Sequence, residues 1–187
     1  MPPKIRITKE SIVATAVDLV RRDGAGAINA RTIAKELSCS TQPVFSNFAT
    51  MDELRLAVVN AADTLYREYT EQEVASGKYP VYKATGMAYI RFAKEEKELF
   101  KLLFMRDRSA EQKEVETEDT QKLFSMVENH PGIAGNNTKL FHLEMWAYVH
   151  GIATMMATNY FEIDTDLISE MLTDAFQGLK RRYEAKE

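Results

Sequence analysis

The sequence predicts an all-α fold of about nine helices, and three observations carry that reading. Apolar residues recur at helical spacing along nearly the whole chain, the five prolines stand only at positions 2, 3, 43, 80 and 131, and no alternating apolar and polar run leads into a two-residue turn. With 187 residues, 45% of them hydrophobic and 28% charged, the chain can bury a real core in one or two domains. The same composition excludes a disordered, collagenous or disulfide-stapled chain, since Cys39 is the single cysteine and forms no internal disulfide.

Thr8 is placed to cap a first helix in which Ile12, Val13, Ala16, Leu19 and Val20 form one apolar stripe, with Gly24 as its stop. Asn29 caps a short second helix carrying Ile33, Ala34 and Leu37. After the turn residues Ser38 and Cys39, Ser40 is the expected cap of a third helix that runs to about Asn47. Pro43 falls in its first turn, where a missing N–H costs little. Thr50-x-x-Glu53 matches a capping box and opens a long fourth helix through Leu54, Val58, Ala61 and Leu65. Ser76-Gly77-Lys78-Tyr79-Pro80 breaks that helix, and further helices are expected at about 80–94, 96–106 and 114–129. The largest loop holds His130-Pro131-Gly132 and Gly135-Asn136-Asn137. Two last helices follow at about 137–160 and 165–184. Leu140, Phe141, Leu143, Met145, Trp146, Val149, Ile152, Met155 and Met156 make the former apolar nearly all round, which predicts burial on several sides. The latter shows a broad stripe from Leu167 to Leu179. The acidic stretch from Glu111 to Asp119 is expected to be solvated surface.

Charge divides unevenly along this frame. The first 50 residues hold seven Lys/Arg against four acids, a net charge of +3, which leaves −7 for the rest of a chain whose total is −4. A basic N-terminal unit on an acidic body is the asymmetry expected when only the first part meets an anion. The first three helices, the second and third joined by a tight turn, have helix-turn-helix spacing, in which the third helix enters the major groove. Ala34 is the small residue the helix crossing needs. Ser40, Thr41 and Gln42 give the third helix a polar start, while Val44, Phe45 and Phe48 are left to anchor it. Gln pairs bidentately with adenine, and Thr hydrogen-bonds to bases or touches a thymine methyl. Expected DNA contacts are Asn29, Ser40, Thr41, Gln42, Phe45, Ser46 and Asn47, with Lys4, Arg6 and Arg31 attracting phosphates.

The stretch from Ile12 to Leu56 resembles the tetracycline-repressor-like (TetR) family of transcription regulators. Its second and third helices, Asn29 to Phe48, match that family almost position for position in spacing. Departures are Ser38 where the family has Gly, Cys39 for Val, Phe45 commonly Tyr, Asn47 commonly His, and Met51 often Lys. Trp146-Ala-Tyr-Val-His150-Gly151 is similar to a Trp…His-Gly signature of one TetR subgroup. The resemblance implies a nine-helix homodimer that pairs through its last two helices, here 137–160 and 165–184, and binds a small effector in its C-terminal domain.

The expected division is a DNA-binding domain over 1–50 and a ligand-binding and dimerisation domain over 51–187, with 51–74 as the connecting helix. Phe100, Phe104, Met126, Trp146, His150 and Met155 are the candidate effector lining, an apolar set with a few polar handles. A packed core is the alternative for the same residues. His142 and His150 share a helix face without further ligands nearby, so no metal is expected, and no motif calls for a cofactor. No phosphate loop, Gly-x-Ser-x-Gly elbow or His-Glu-x-x-His appears, so the chain does not read as an enzyme. With no secretory signal and no apolar stretch of membrane-spanning length, the expected location is the cytoplasm. The function expected is a ligand-responsive repressor acting as a homodimer on a palindromic operator. A helical adaptor that binds protein rather than DNA is the alternative.

Overall fold

The computed structural model describes residues 7–107, 118–128, 133 and 137–184, and helix is its only regular structure. In order these are α1 (Lys9–Asp23), a 3-10 turn (Ala25–Ala27), α2 (Ala30–Glu36), α3 (Gln42–Asn47), α4 (Met51–Ala75), α5 (Val81–Glu95), α6 (Lys97–Phe104), α7 (Glu118–Glu128), α8 (Thr138–Ala157) and α9 (Thr165–Glu184). The all-α expectation holds. Among the described residues, no helix is long and apolar enough to cross a membrane.

Two compact units emerge. The first draws on Met1–Glu68 and Glu96–Arg106, and so takes in α6 and most of α4; the second draws on Tyr69–Glu95 and Asp107–Glu187. Ile12, Leu19, Ile33, Val44, Phe48, Leu54, Val58, Leu99 and Phe100 form the buried interior of the first. Burying each large aliphatic or aromatic side chain stabilises by about 1.5–3 kcal/mol. Arg21 fastens α1 to the start of α6 through a bidentate pair with Glu96, both contacts at 2.9 Å. That pairing raises the guanidinium pKa, with a smaller contribution from Asp18.

In the second unit Val127, Ile133, Phe141, Met145 and Tyr183 are buried together, with Tyr82, Phe176 and Leu179 packed against them. α5 passes close to its neighbours at Gly86, where an added Cβ would lie 3.4 Å from Val149 Cγ2 and 3.5 Å from Leu172 Cδ1. Polar ties join the helices at the edges of this core. Lys83 Nζ donates to Ser169 Oγ and Thr173 Oγ1, both at 2.7 Å, and Glu144 accepts from Arg182 and from the Tyr183 hydroxyl at 2.9 and 2.8 Å.

Several local expectations need correction. α3 starts at Gln42 behind Thr41, with no side-chain cap, so Ser40 is not the capping residue. In the Thr50-x-x-Glu53 box the Thr50 hydroxyl accepts from Glu53 N, but the Glu53 carboxylate reaches back to Ala49 N rather than to Thr50 N. α8 ends three residues early, because Asn159 adopts φ +55° and Tyr160 N closes on Met155 O. Burial of α8 on several sides is not met within the chain: Leu140, Leu143, Trp146 and Tyr148 are exposed. The start of the helix expected over 114–129, most of the acidic stretch, and the loop residues His130-Pro131-Gly132 and Gly135-Asn136 lie outside the described residues.

Candidate nucleic-acid interface

The first unit builds its functional face from local capping signals. Thr8 and Ser11 cap α1 reciprocally, Ser11 N donating to Thr8 Oγ1 at 3.2 Å and Thr8 N to Ser11 Oγ at 3.0 Å. Gly24 ends that helix at φ +79°, a conformation that costs glycine little and other residues more. Asn29 Oδ1 accepts from Thr32 N at 2.9 Å and starts α2, which buries Ala30, Ile33 and Ala34. The turn into α3 is closed by Ser38 N donating to Lys35 O and Cys39 N to Ala34 O, at 3.1 and 2.9 Å. Ser38 takes φ +51° there. This is the position where the related pattern has glycine.

α3 is held from one side by Val44, fully buried, and by Phe48 just beyond its end. The opposite side presents Gln42, Phe45 and Ser46, which the 3.6-residue period places together. Phe45 is 54% exposed, so it does not anchor the helix as expected but stands on the outward face. Ser46 Oγ donates to Gln42 O at 2.9 Å and Asn47 Nδ2 to Pro43 O at 2.8 Å, which fixes both side chains against their own helix. Gln42 makes no such bond among the described residues and has its whole amide for a partner. Ser40 is exposed and Thr41 half-buried at the head of the same helix.

The cations divide into spent and available. Arg22 pairs with Asp23 and Glu36, Arg21 with Asp18 and Glu96, and Lys9 with Glu53 at 2.9 Å while lying over the Phe48 ring. Lys9, first, and the Ala49 N–H hold the Glu53 carboxyl below its ordinary pKa. Arg31 and Lys35 are exposed on α2 and make no ion pair among the described residues. Lys35 was missed by the sequence reading, although its place four residues after Arg31 was the available signal. Lys4 and Arg6 lie outside the described residues.

The candidate effector residues fall in both units. Phe100 and Phe104 pack at 5.2 Å between ring centroids in the first, where Phe104 also meets Tyr66 edge-on. Met126, Trp146, His150 and Met155 belong to the second. There Trp146, 48% exposed, stacks flat on His150 with centroids 4.9 Å apart and planes 8° apart. Tyr89 Oη lies 2.9 Å from His150 Nδ1. One step earlier on the same two helices, Tyr82 Oη lies 3.0 Å from Nδ1 of the buried His142. Burial lowers the pKa of both histidines and raises that of Tyr82.

Comparison with known proteins agrees with this architecture. A family model described as "Tetracyclin repressor-like, C-terminal domain" matches residues 82–176, just over half of the chain. No curated protein matches. A TetR-like transcriptional regulator from Rhodococcus sp. RHA1 superposes with a TM-score of 0.66 at 16% identity, over 96% of this chain and 98% of that one. A TetR-family member from Streptomyces coelicolor A3 gives 0.61 at 15% identity, covering 89% and 96%. The multidrug binding protein EbrR, solved in complex with imidazole, gives 0.56 at 15% identity, covering 89% and 88%. With a helix-turn-helix unit ahead of the matched segment, the chain belongs to the tetracycline-repressor-like family of DNA-binding transcriptional regulators.

Proposed function

We propose that the protein is a ligand-responsive repressor that works in the cytoplasm as a homodimer on a palindromic operator. The observation that carries the DNA-reading part is the outward face of α3, where Gln42, Phe45 and Ser46 are all exposed, while the preceding helix α2 carries the exposed cations Arg31 and Lys35. Gln42 reads a base edge, with Thr41, Ser46 and Asn47 flanking it, and Phe45 supplies apolar contact to a base methyl or sugar. Arg31, Lys4 and Arg6 attract phosphates, and Ser40 and the N-terminus of α2 at Asn29 sit at the backbone. Two-fold symmetry places the two α3 helices about 34–36 Å apart, one turn of duplex.

The effector reading rests on the Trp146 and His150 stack, an aromatic platform with a polar edge in the matched C-terminal segment. Met126 and Met155, in the same unit, extend the proposed lining. That EbrR has been solved with imidazole and with malachite green supports a small-molecule effector for a chain of this fold. The ligand acts by binding one dimer geometry more tightly than the other, with α4 as the lever, since it enters the first unit directly after α3.

Titration of fluorescent duplexes at two salt concentrations tests the DNA reading. Gln42→Ala should cost about 1–3 kcal/mol and relax sequence preference, while Arg31→Ala should weaken all duplexes alike and flatten the salt dependence. A chain that binds no duplex at low salt, or a Gln42→Ala protein with unchanged preference, would sink the assignment.

A further inference from the structure

α1 carries two apolar rows. Ile12, Ala16, Leu19 and Val20 turn into the core of the first unit, while Val13 and Val17, about 100° round the helix from Ile12 and Ala16, stay half-buried on its flank. α4 repeats the arrangement, with Val58 and Ala62 buried and Ala61 and Leu65 half-buried. The two flanks line an open cleft of about 550 Å³, within the size range of small-molecule sites, and its walls belong to α1 and α4 alone. The whole lining falls within the first unit, whereas the Trp146 and His150 stack belongs to the second.

The rim of this cleft is acidic. Glu10, Asp18 and Glu68 stand on it, all exposed. Its two cations are drawn off by carboxylates that lie outside the cleft, Lys9 by Glu53 at 2.9 Å and Arg21 by Glu96 through two contacts at 2.9 Å. Arg21 also reaches Asp18 at 3.1 Å. The Glu10 carboxyl is held below its ordinary pKa by its own backbone N–H at the head of α1 and then by Thr8. Glu68 has neither a cation nor a hydrogen-bond donor among the described residues. Apolar walls beside an unanswered carboxylate suit an apolar body that carries one positive charge. A neutral molecule leaves that charge unmet, and an anion is repelled by all three carboxylates.

We propose that the cleft between α1 and α4 binds a small lipophilic cation, an ammonium on an apolar or aromatic body. The body lies against Val13, Val17, Ala61 and Leu65, and the charge sits beside Glu68. Such an occupant touches at once the first helix of the DNA-binding unit and the helix that follows α3. The site is separate from the effector platform of the second unit and does not depend on it.

Calorimetric titration of the full chain with (1-naphthylmethyl)trimethylammonium, beside neutral 1-naphthalenemethanol and anionic 1-naphthalenesulfonate, tests it. The cation should bind about threefold or more tighter than the alcohol, the size of effect one exposed ion pair supplies, and the sulfonate should bind weakest. Glu68→Gln should bring the cation down to the level of the alcohol and leave the alcohol unchanged. Ala14→Trp, which puts a bulky ring into the lining, should weaken cation and alcohol alike. Both positions are exposed, so thermal unfolding should match the parent, and if Ala14→Trp does unfold then Glu68→Gln still decides. No binding, equal affinity for the three probes, or a cation preference that survives Glu68→Gln overturns the proposal. Binding left intact in a folded Ala14→Trp protein puts the probe elsewhere, the aromatic stack of the second unit included, and overturns it as well.

Discussion

Ser38 offers a direct measurement of how much strain the helix-turn-helix turn holds. Its backbone sits at φ +51°, its N–H donates to Lys35 O at 3.1 Å, and its exposed side chain makes no hydrogen bond among the described residues. An L residue in the left-handed region costs about 1–2 kcal/mol. Glycine relieves that cost but gives the unfolded chain more freedom, worth about 0.5–1 kcal/mol in the opposite direction. Ser38→Gly should therefore stabilise the protein by about 0.5–1 kcal/mol. For a chain of this size that shift raises the thermal midpoint by about 1–4 °C. Urea and thermal unfolding followed by circular dichroism give the stability, and duplex titration gives the function. Operator affinity should stay unchanged, because both backbone bonds of the turn survive the substitution. A Ser38→Gly protein less stable than the parent would refute the reasoning, since it would mean the hydroxyl or a stiffer chain outweighs the φ penalty.

Two further outcomes follow from the second unit. Burial holds His142 and His150 below the ordinary histidine pKa, so the unfolded chain takes up protons first as the pH falls. Their contribution to stability is fully present above about pH 6.5 and is lost as the pH drops through the lower folded values; a thermal midpoint at about pH 5.5 equal to or above that at about pH 7.5 would contradict this. At Gly86, Ala should be tolerated because its Cβ reaches ordinary contact distance, whereas Leu should cost about 1–3 kcal/mol or more by overpacking against Val149 and Leu172, as equilibrium unfolding would report.

The parts of the chain legible in sequence are those whose signals are local. Thr8, Asn29 and Gly24 each specify a helix end through groups within a few residues, and each cap or stop stands where its pattern places it. Ser40 misled because two polar residues compete at the head of α3, and Pro43, which lacks an N–H, suits a helix starting at Gln42. Lys35 escaped notice because charge counted along the chain does not say which cations are already paired. Only the fold shows that Arg21, Arg22 and Lys9 are held by carboxylates, two of them, Glu53 and Glu96, more than 40 residues away in sequence.

Phe45 and α8 share a deeper reason. Hydrophobic periodicity reports that a side chain avoids water, and it is silent on what covers it. Phe45 follows the buried Val44 by one residue, so the helical turn that fixes Val44 inward rotates Phe45 by about 100° toward the face shared by Gln42 and Ser46. Along α8 the same geometry divides a nearly continuous apolar run. Phe141, Met145, Ile152 and Met156 face the core, while Leu140 and Leu143 lie exposed on the chain taken singly. Periodicity marks all of these positions alike, and only the packing of the neighbouring helices separates the covered ones from the exposed ones.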